Sequence, residues 1–349
     1  MIHLVNQSLL SAALAPGWNL KRQFQMTLVI KASCQFDNNG KLKPLESPLP
    51  LVEADEYLDD PETSSLSEAY ELQPFKQHAE FYLYGKAYPR QQGDSTGLTQ
   101  VKLQHRSSQL EKTLVVLGEH HWKRGLFGIT RSKVSPLQPL DLTYELTWGG
   151  QDQNTAKTLA ANPAGQDYYM RFWQRSDSKS PQIEYENHFS MRMSRHNRRV
   201  AGYGPLPGHW FPRNSRFGQL PDADTLDKTL CPWGPDVDPL LHQMAPDDQQ
   251  FAGFYEGGET LTLCGFFPDT ESINVKLPHL VGAPLQVSKN EKPHSCPLKA
   301  DTLVINTEQR QLSLIYRYAI QAQHLVDKES WVYLPEDLSL NLEEIKDAQ

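Results

Sequence analysis

The chain has 349 residues, 38% hydrophobic and 10% aromatic, which is enough for a packed core and too much for a disordered chain. Its 34 Lys and Arg stand against 42 Asp and Glu, a net charge of −8, which argues against nucleic acid and makes a basic protein partner the easier match. No apolar run reaches the ~18 residues that cross a bilayer, so no membrane partner is expected.

In chain order, Leu9 to Ala15 is apolar and Ala13-Leu14-Ala15 imitates a cleavage site. No Lys or Arg precedes Lys21, however, and Asn6, Gln7 and Ser8 interrupt the apolar stretch, so the expected location is the cytoplasm. Met26 to Phe36 alternates apolar and polar residues, the period of a strand with one side packed on a core. Residues 53–73 carry eight carboxylates and no Lys or Arg, which predicts a solvated acidic loop, the less favoured role being a dock for a basic partner. Strands are predicted near residues 80–88, 99–105 and 113–117, and again over Leu142 to Trp148.

His120 and His121 are adjacent, so on a strand they face opposite ways and cannot easily share a metal ion; one packed and one exposed histidine is expected. Short helices are predicted over residues 53–58, 154–161 and 239–244. Tyr168, Tyr169, Phe172 and Trp173 form an aromatic cluster. The Pro/Gly/Trp-rich stretch 181–239 lacks periodicity, and loops of that length are functional or well packed on themselves. Within it, Arg192, Arg195, Arg198 and Arg199 with His196 make a local basic run, read as internal or solvated in preference to partner-binding. Gly202-Tyr203-Gly204-Pro205-Leu206-Pro207-Gly208 has the wrong glycine spacing for a nucleotide loop, and its prolines remove the amides that would hold phosphate. Two hairpins close the pattern, residues 259–266 with 273–277 and Leu303-Ile305 with the Leu312 strand.

The fold class is therefore all-β, mainly antiparallel, a sandwich or distorted barrel with long loops and a few short helices. With no internal repeat and no convincing linker, one folded unit over residues 1–349 is expected. The cysteines Cys34, Cys231, Cys264 and Cys296 are too scattered for a zinc or redox motif. No nucleophile elbow, phosphate loop or kinase set is present, so neither enzymatic activity nor a cofactor or metal is expected.

The order of several short motifs resembles a family of type VI secretion adaptors encoded beside PAAR-tip proteins and toxic effectors. The motifs are Ile30-Lys31-Ala32-Ser33, Tyr84-Gly85-Lys86-Ala87, Gly118-Glu119 to Trp122, Pro139-Leu140 through Tyr144-Glu145 to Gly149-Gly150, and Asn162-Pro163-Ala164-Gly165. Pro181 to Glu184, Gly202 to Pro205, Ala245 to Gln249, Gly258-Glu259 and Asp301-Thr302 continue the series. Gly218 to Trp233 departs from the compact arrangement usual in that family, being longer and acidic. The resemblance implies a cytoplasmic adaptor or chaperone that binds an effector toxin or its PAAR-tip carrier and guides it to the valine-glycine repeat spike. Partner recognition is expected through an open sheet edge, with Tyr203, Trp210, Arg213 and Trp233 as contact residues. The rival reading is a β-sandwich carbohydrate-binding protein or hydrolase using loop carboxylates, with Glu184 and Asp236 as its first pair.

Overall fold

The computed structural model describes residues 2–105, 108–126, 128–168, 178–189, 198–281, 286–287, 297–321 and 330–342. Two open sheets dominate. The larger has seven strands in the order Gln250–Ala252, His78–Tyr84, Lys299–Asn306, Gln311–Gln321, Phe24–Phe36 and Ser11–Trp18, with Leu42–Pro44 paired to the end of Phe24–Phe36. All its pairings are antiparallel except that between Lys299–Asn306 and His78–Tyr84. The smaller is wholly antiparallel, in the order Ile183–Tyr185, Ser108–Leu117, Thr96–His105, Thr260–Cys264 and Ser272–Lys276.

Strand periodicity decides which side chains meet. Leu28, Ile30, Ala32 and Phe36 from the larger sheet share one core with Val101, Leu103, Leu114, Leu261 and Val275 from the smaller. The two sheets thus face each other across a common apolar layer, a sandwich in which neither sheet closes on itself. Burying each of the larger of these side chains contributes about 1.5–3 kcal/mol.

The period-two segments at Met26 to Phe36, 99–105, 113–117 and Leu312 to Tyr318 are strands, and both expected hairpins form. Other local expectations are corrected. Leu142 to Trp148 is no continuous strand: it breaks into a 3-10 turn, Tyr144–Leu146, because Ser65 Oγ accepts from Tyr144 N and Asn162 donates to the Tyr144 and Trp148 carbonyls. None of the three predicted helices forms. Residues 56–57 pair as a strand with Leu66–Glu68, a bridge joins Gln151 to Thr158, and 239–244 is held as turns. The one α-helix among the described residues is Ala223–Thr229, capped by Asp222, which accepts from Thr225 N. The apolar Leu9 to Ala15 segment runs into the Ser11–Trp18 strand at the sheet edge.

Alternation alone suggested one solvated face for Phe24–Phe36, yet Thr27, Val29 and Lys31 are buried too. The acidic segment explains this. Its 53–63 stretch is largely exposed, but Ala69, Glu71 and Gln73 pack against the outer face of the larger sheet. Lys31 Nζ meets Glu71 at 2.8 Å and donates to Pro50 O at 3.0 Å. Arg317 donates to Gln73 O at 3.0 Å and Glu71 O at 2.6 Å. A bulge between Ala300 and Thr302 sets Asp301 against Arg317. Beside it, Lys76 pairs with Glu80 and donates to Thr302 Oγ1 at 2.8 Å. Burial pulls Lys76 down and pushes Asp301 up from their ordinary ranges. Three cations and three carboxylates, Glu71 of the covering segment among them, are therefore buried in this region, and each has an opposite charge in contact.

Candidate binding surface

Much of the remaining polar chemistry is internal, and it coincides with the short motifs of the sequence. Glu145 accepts from Ser65 N at 2.6 Å and Ser65 Oγ at 2.8 Å. Asn162 Nδ2 reaches Tyr144 O at 3.0 Å and Thr147 Oγ1 at 2.8 Å. Gln249 donates to Phe81 O and Tyr203 O, and Asp248 accepts from Lys112 at 2.9 Å and from the Tyr185 hydroxyl at 2.6 Å. Burial lowers Lys112 to about 8, against the opposing pull of Asp248. Gly202 lets the Tyr144 ring approach the backbone closely: a Cβ there would stand 2.3 Å from the ring.

Three of the four expected contact residues belong to this interior. Tyr203 and Trp210 have no exposed surface and Trp233 is 4% exposed. The Tyr203 hydroxyl donates to Thr99 O at 3.0 Å and also lies 3.2 Å from Lys112 O. Trp233 packs edge-on against Trp18, Phe75 and His242, and Trp210 against Tyr144. Arg213 is half-buried and donates to Leu206 O at 2.5 Å, bracing its own loop. Aromatic rings without exposure cannot meet a partner unless the loop opens, so here they hold the 181–239 stretch to the body.

His120 is buried and His121 exposed, as their adjacency required. His120 Nδ1 lies 2.8 Å from Gly118 O and Nε2 receives Arg131, while burial lowers its pKa. That Arg131 also donates to Glu184 at 2.6 Å and lies over the Trp122 ring, with Arg198 5.3 Å from the same ring. Arg198 pairs with Asp167, and Arg199 lies over Tyr185. Arg198 is thus half-buried in an ion pair and Arg199 exposed beside a ring, within the internal or solvated roles expected of the basic run; Arg192, Arg195 and His196 lie outside the described residues, as do Tyr169, Phe172, Trp173 and Cys296. Asp236 accepts from Gln219 N at 3.1 Å, so Glu184 and Asp236 each have their own partners. Cys34 and Cys231 are buried free thiols, and burial pushes Cys34 up to about 12.

Two exposed features stand apart from this interior. The first is a groove of about 810 Å³ across the solvent face of the smaller sheet, between the turn at residues 88–94 and the turn at residues 268–272. Its volume lies in the range of ordinary ligand clefts. Its floor carries Leu98, 53% exposed, beside Gln100 and Thr113. Asp94, Glu186, Asp269 and Glu271 line it against a single cation, Arg90. Gly265, at φ +78°, closes one wall so tightly that a Cβ would stand 1.9 Å from Leu98 O. Burial raises the Cys264 thiol beside it. The second feature is the helix Ala223–Thr229, which buries none of its residues and leaves Leu220, Leu226 and Leu230 exposed. It is tied down by Trp18 Nε1 donating to Thr229 O at 3.2 Å and by Arg22 donating to Thr229 Oγ1 at 3.3 Å.

Sequence reasoning passed over both features. The signal for Leu98 was legible: it occupies the phase of Gln100 and Lys102, which is the solvent phase once Val101 and Leu103 are assigned to the core. The signal for the helix was Pro221-Asp222 ahead of Leu226, a capped start inside a stretch read as irregular.

No curated protein and no solved structure matches the chain. No helix among the described residues is long and apolar enough to cross a membrane. A family model described as an uncharacterized protein conserved in bacteria (DUF2169) matches residues 21–317. That span takes in the smaller sheet, the larger sheet apart from its edge strand Ser11–Trp18 and the end of Gln311–Gln321, the buried ion pairs and the groove, and the chain belongs to this family of uncharacterized bacterial proteins.

Proposed function

We propose that this protein is a non-enzymatic cytoplasmic adaptor. It binds a type VI secretion effector, or the PAAR-tip protein that carries it, and helps load that cargo onto the valine-glycine repeat spike. The observation that carries the reading is the division of labour among side chains. Motif residues such as Glu145, Asn162, Asp248 and Gln249 are tied into the interior, while the acidic groove over Leu98 faces solvent. A rigid scaffold with an open, charged recess suits recognition of a macromolecule, since its polar rim sets orientation and encounter rate. The collinear motifs supply the link to secretion, by resemblance.

The test is a pull-down of the tagged full chain from the cytosol of cells expressing a type VI system, with mass spectrometry of the co-purified proteins. A PAAR-tip, spike or toxin protein in stable ratio is the expected result. A clean, unaccompanied protein would overturn the proposal.

A further inference from the structure

Resting on that binding reading, we infer that the groove over Leu98 seats an extended segment of a partner protein in which lysine or arginine side chains flank an apolar one. The apolar component follows from the floor. Leu98 projects on the solvent phase of Thr96–His105, half exposed, so a partner side chain placed on it removes apolar surface from water on both sides. Its neighbours on that face, Gln100 and Thr113, are joined at 2.8 Å and leave a polar but uncharged bed around it.

The basic component follows from the rim. Four carboxylates face one guanidinium along the lining. Arg90 is engaged by Glu271 at 3.0 Å, and Asp269 is held by Arg310 at 2.6 and 2.8 Å and by Asn38 at 3.0 Å. Asp94 and Glu186, which line the groove with Leu98, have no ion pair among the described residues, which leaves negative potential in the recess. Low-dielectric walls concentrate such a field within a recess, favouring a cationic partner. The large exposed apolar group of the lining is the aliphatic tip of Leu98; the Phe267 ring is buried under Arg310 and Tyr88 is half-buried.

The experiment uses the full chain and a fluorescein-labelled decapeptide of alternating Lys and Leu, with a Glu and Leu decapeptide as counter-probe, read by fluorescence anisotropy. Two groove variants are compared with wild type: Asp94→Lys with Glu186→Lys and Glu271→Lys, and Leu98→Asn alone. A control with the same charge change elsewhere reverses Asp222, Asp224 and Asp227 on the exposed helix. Circular dichroism melts establish that each variant folds. Both groove variants are expected to weaken the Lys and Leu peptide at least about tenfold, the control to stay within about twofold, and wild-type binding to weaken as salt rises. Equal loss in the control, or equal binding of the counter-probe, would overturn the inference. So would a glycan that raises the melting temperature of wild type but not of Leu98→Asn. If the groove variants capture the same cargo as wild type in the pull-down, the groove assignment falls and the adaptor reading stands. Groove-dependent peptide binding without any captured cargo would have the opposite meaning.

Discussion

The carboxylate of Glu80 accepts the backbone N–H of Met244 at 2.9 Å while its other oxygen pairs with Lys76. One side chain on a strand of the larger sheet thereby fastens a loop more than 160 residues away, with Ala245 N and Gln243 Nε2 as further donors. Replacing Glu80 with Ala strands Lys76 as an unpaired buried cation and orphans two backbone amides. We expect a loss of about 3–5 kcal/mol in urea unfolding at pH 7. A loss below about 1 kcal/mol would mean that water replaces the carboxylate and that the network adds little.

Tyr203 and Trp210 separate packing from partner contact. Tyr203→Phe keeps the ring and loses the hydroxyl that reaches Thr99 O, for an expected cost of about 1–2 kcal/mol. Trp210→Ala opens a cavity against Tyr144 and is expected to cost about 3–5 kcal/mol. Cargo capture by Tyr203→Phe, measured where the variant remains folded, should equal that of wild type.

His242 is expected to make the fold sensitive to acid. Burial, reinforced by Arg213, Arg317 and Lys76, pulls its pKa down to about 3, from an ordinary 6.5. Between those values the unfolded chain holds the extra proton, so this stability is complete above pH 6.5 and is lost as pH falls. The rate is up to about 1.4 kcal/mol per pH unit from this residue. His242→Phe removes the titration and fills similar space. Its melting temperature relative to wild type should therefore rise between pH 7 and pH 5; a constant difference would exclude the residue as the source.

Leu230 occupies the left-handed region at φ +52° as the helix C-cap, 67% exposed. Glycine takes this conformation without a Cβ clash. Leu230→Gly is expected to stabilise the fold by up to about 1 kcal/mol in urea unfolding. It should leave binding of the Lys and Leu peptide unchanged, because the groove is built from other elements.

The strands at Met26 to Phe36, 99–105 and 312–318 were legible because alternation of side chains is a property of the backbone itself. The same logic separated His120 from His121. It failed over Leu142 to Trp148, where hydrogen bonds from Asn162 and to Ser65, distant in sequence, replace the ladder. The anchors Tyr203, Trp210 and Trp233 were assigned to contact because a Pro/Gly/Trp-rich stretch resembles an exposed loop until the surface it packs on is known. Glu71 illustrates the converse: in a run of carboxylates it has no local mark, yet it is buried on Lys31.

By itself the sequence determined the all-β class, the two hairpins and the principal strands, since these depend on local periodicity and turn chemistry. Tertiary structure alone decided which charges are buried, which aromatics are core and where the recess lies. The reason is physical: solvent exposure and ion pairing depend on what covers a side chain. For Lys31, Arg317 and Leu98 those neighbours, or their absence, are set by segments far away in the chain.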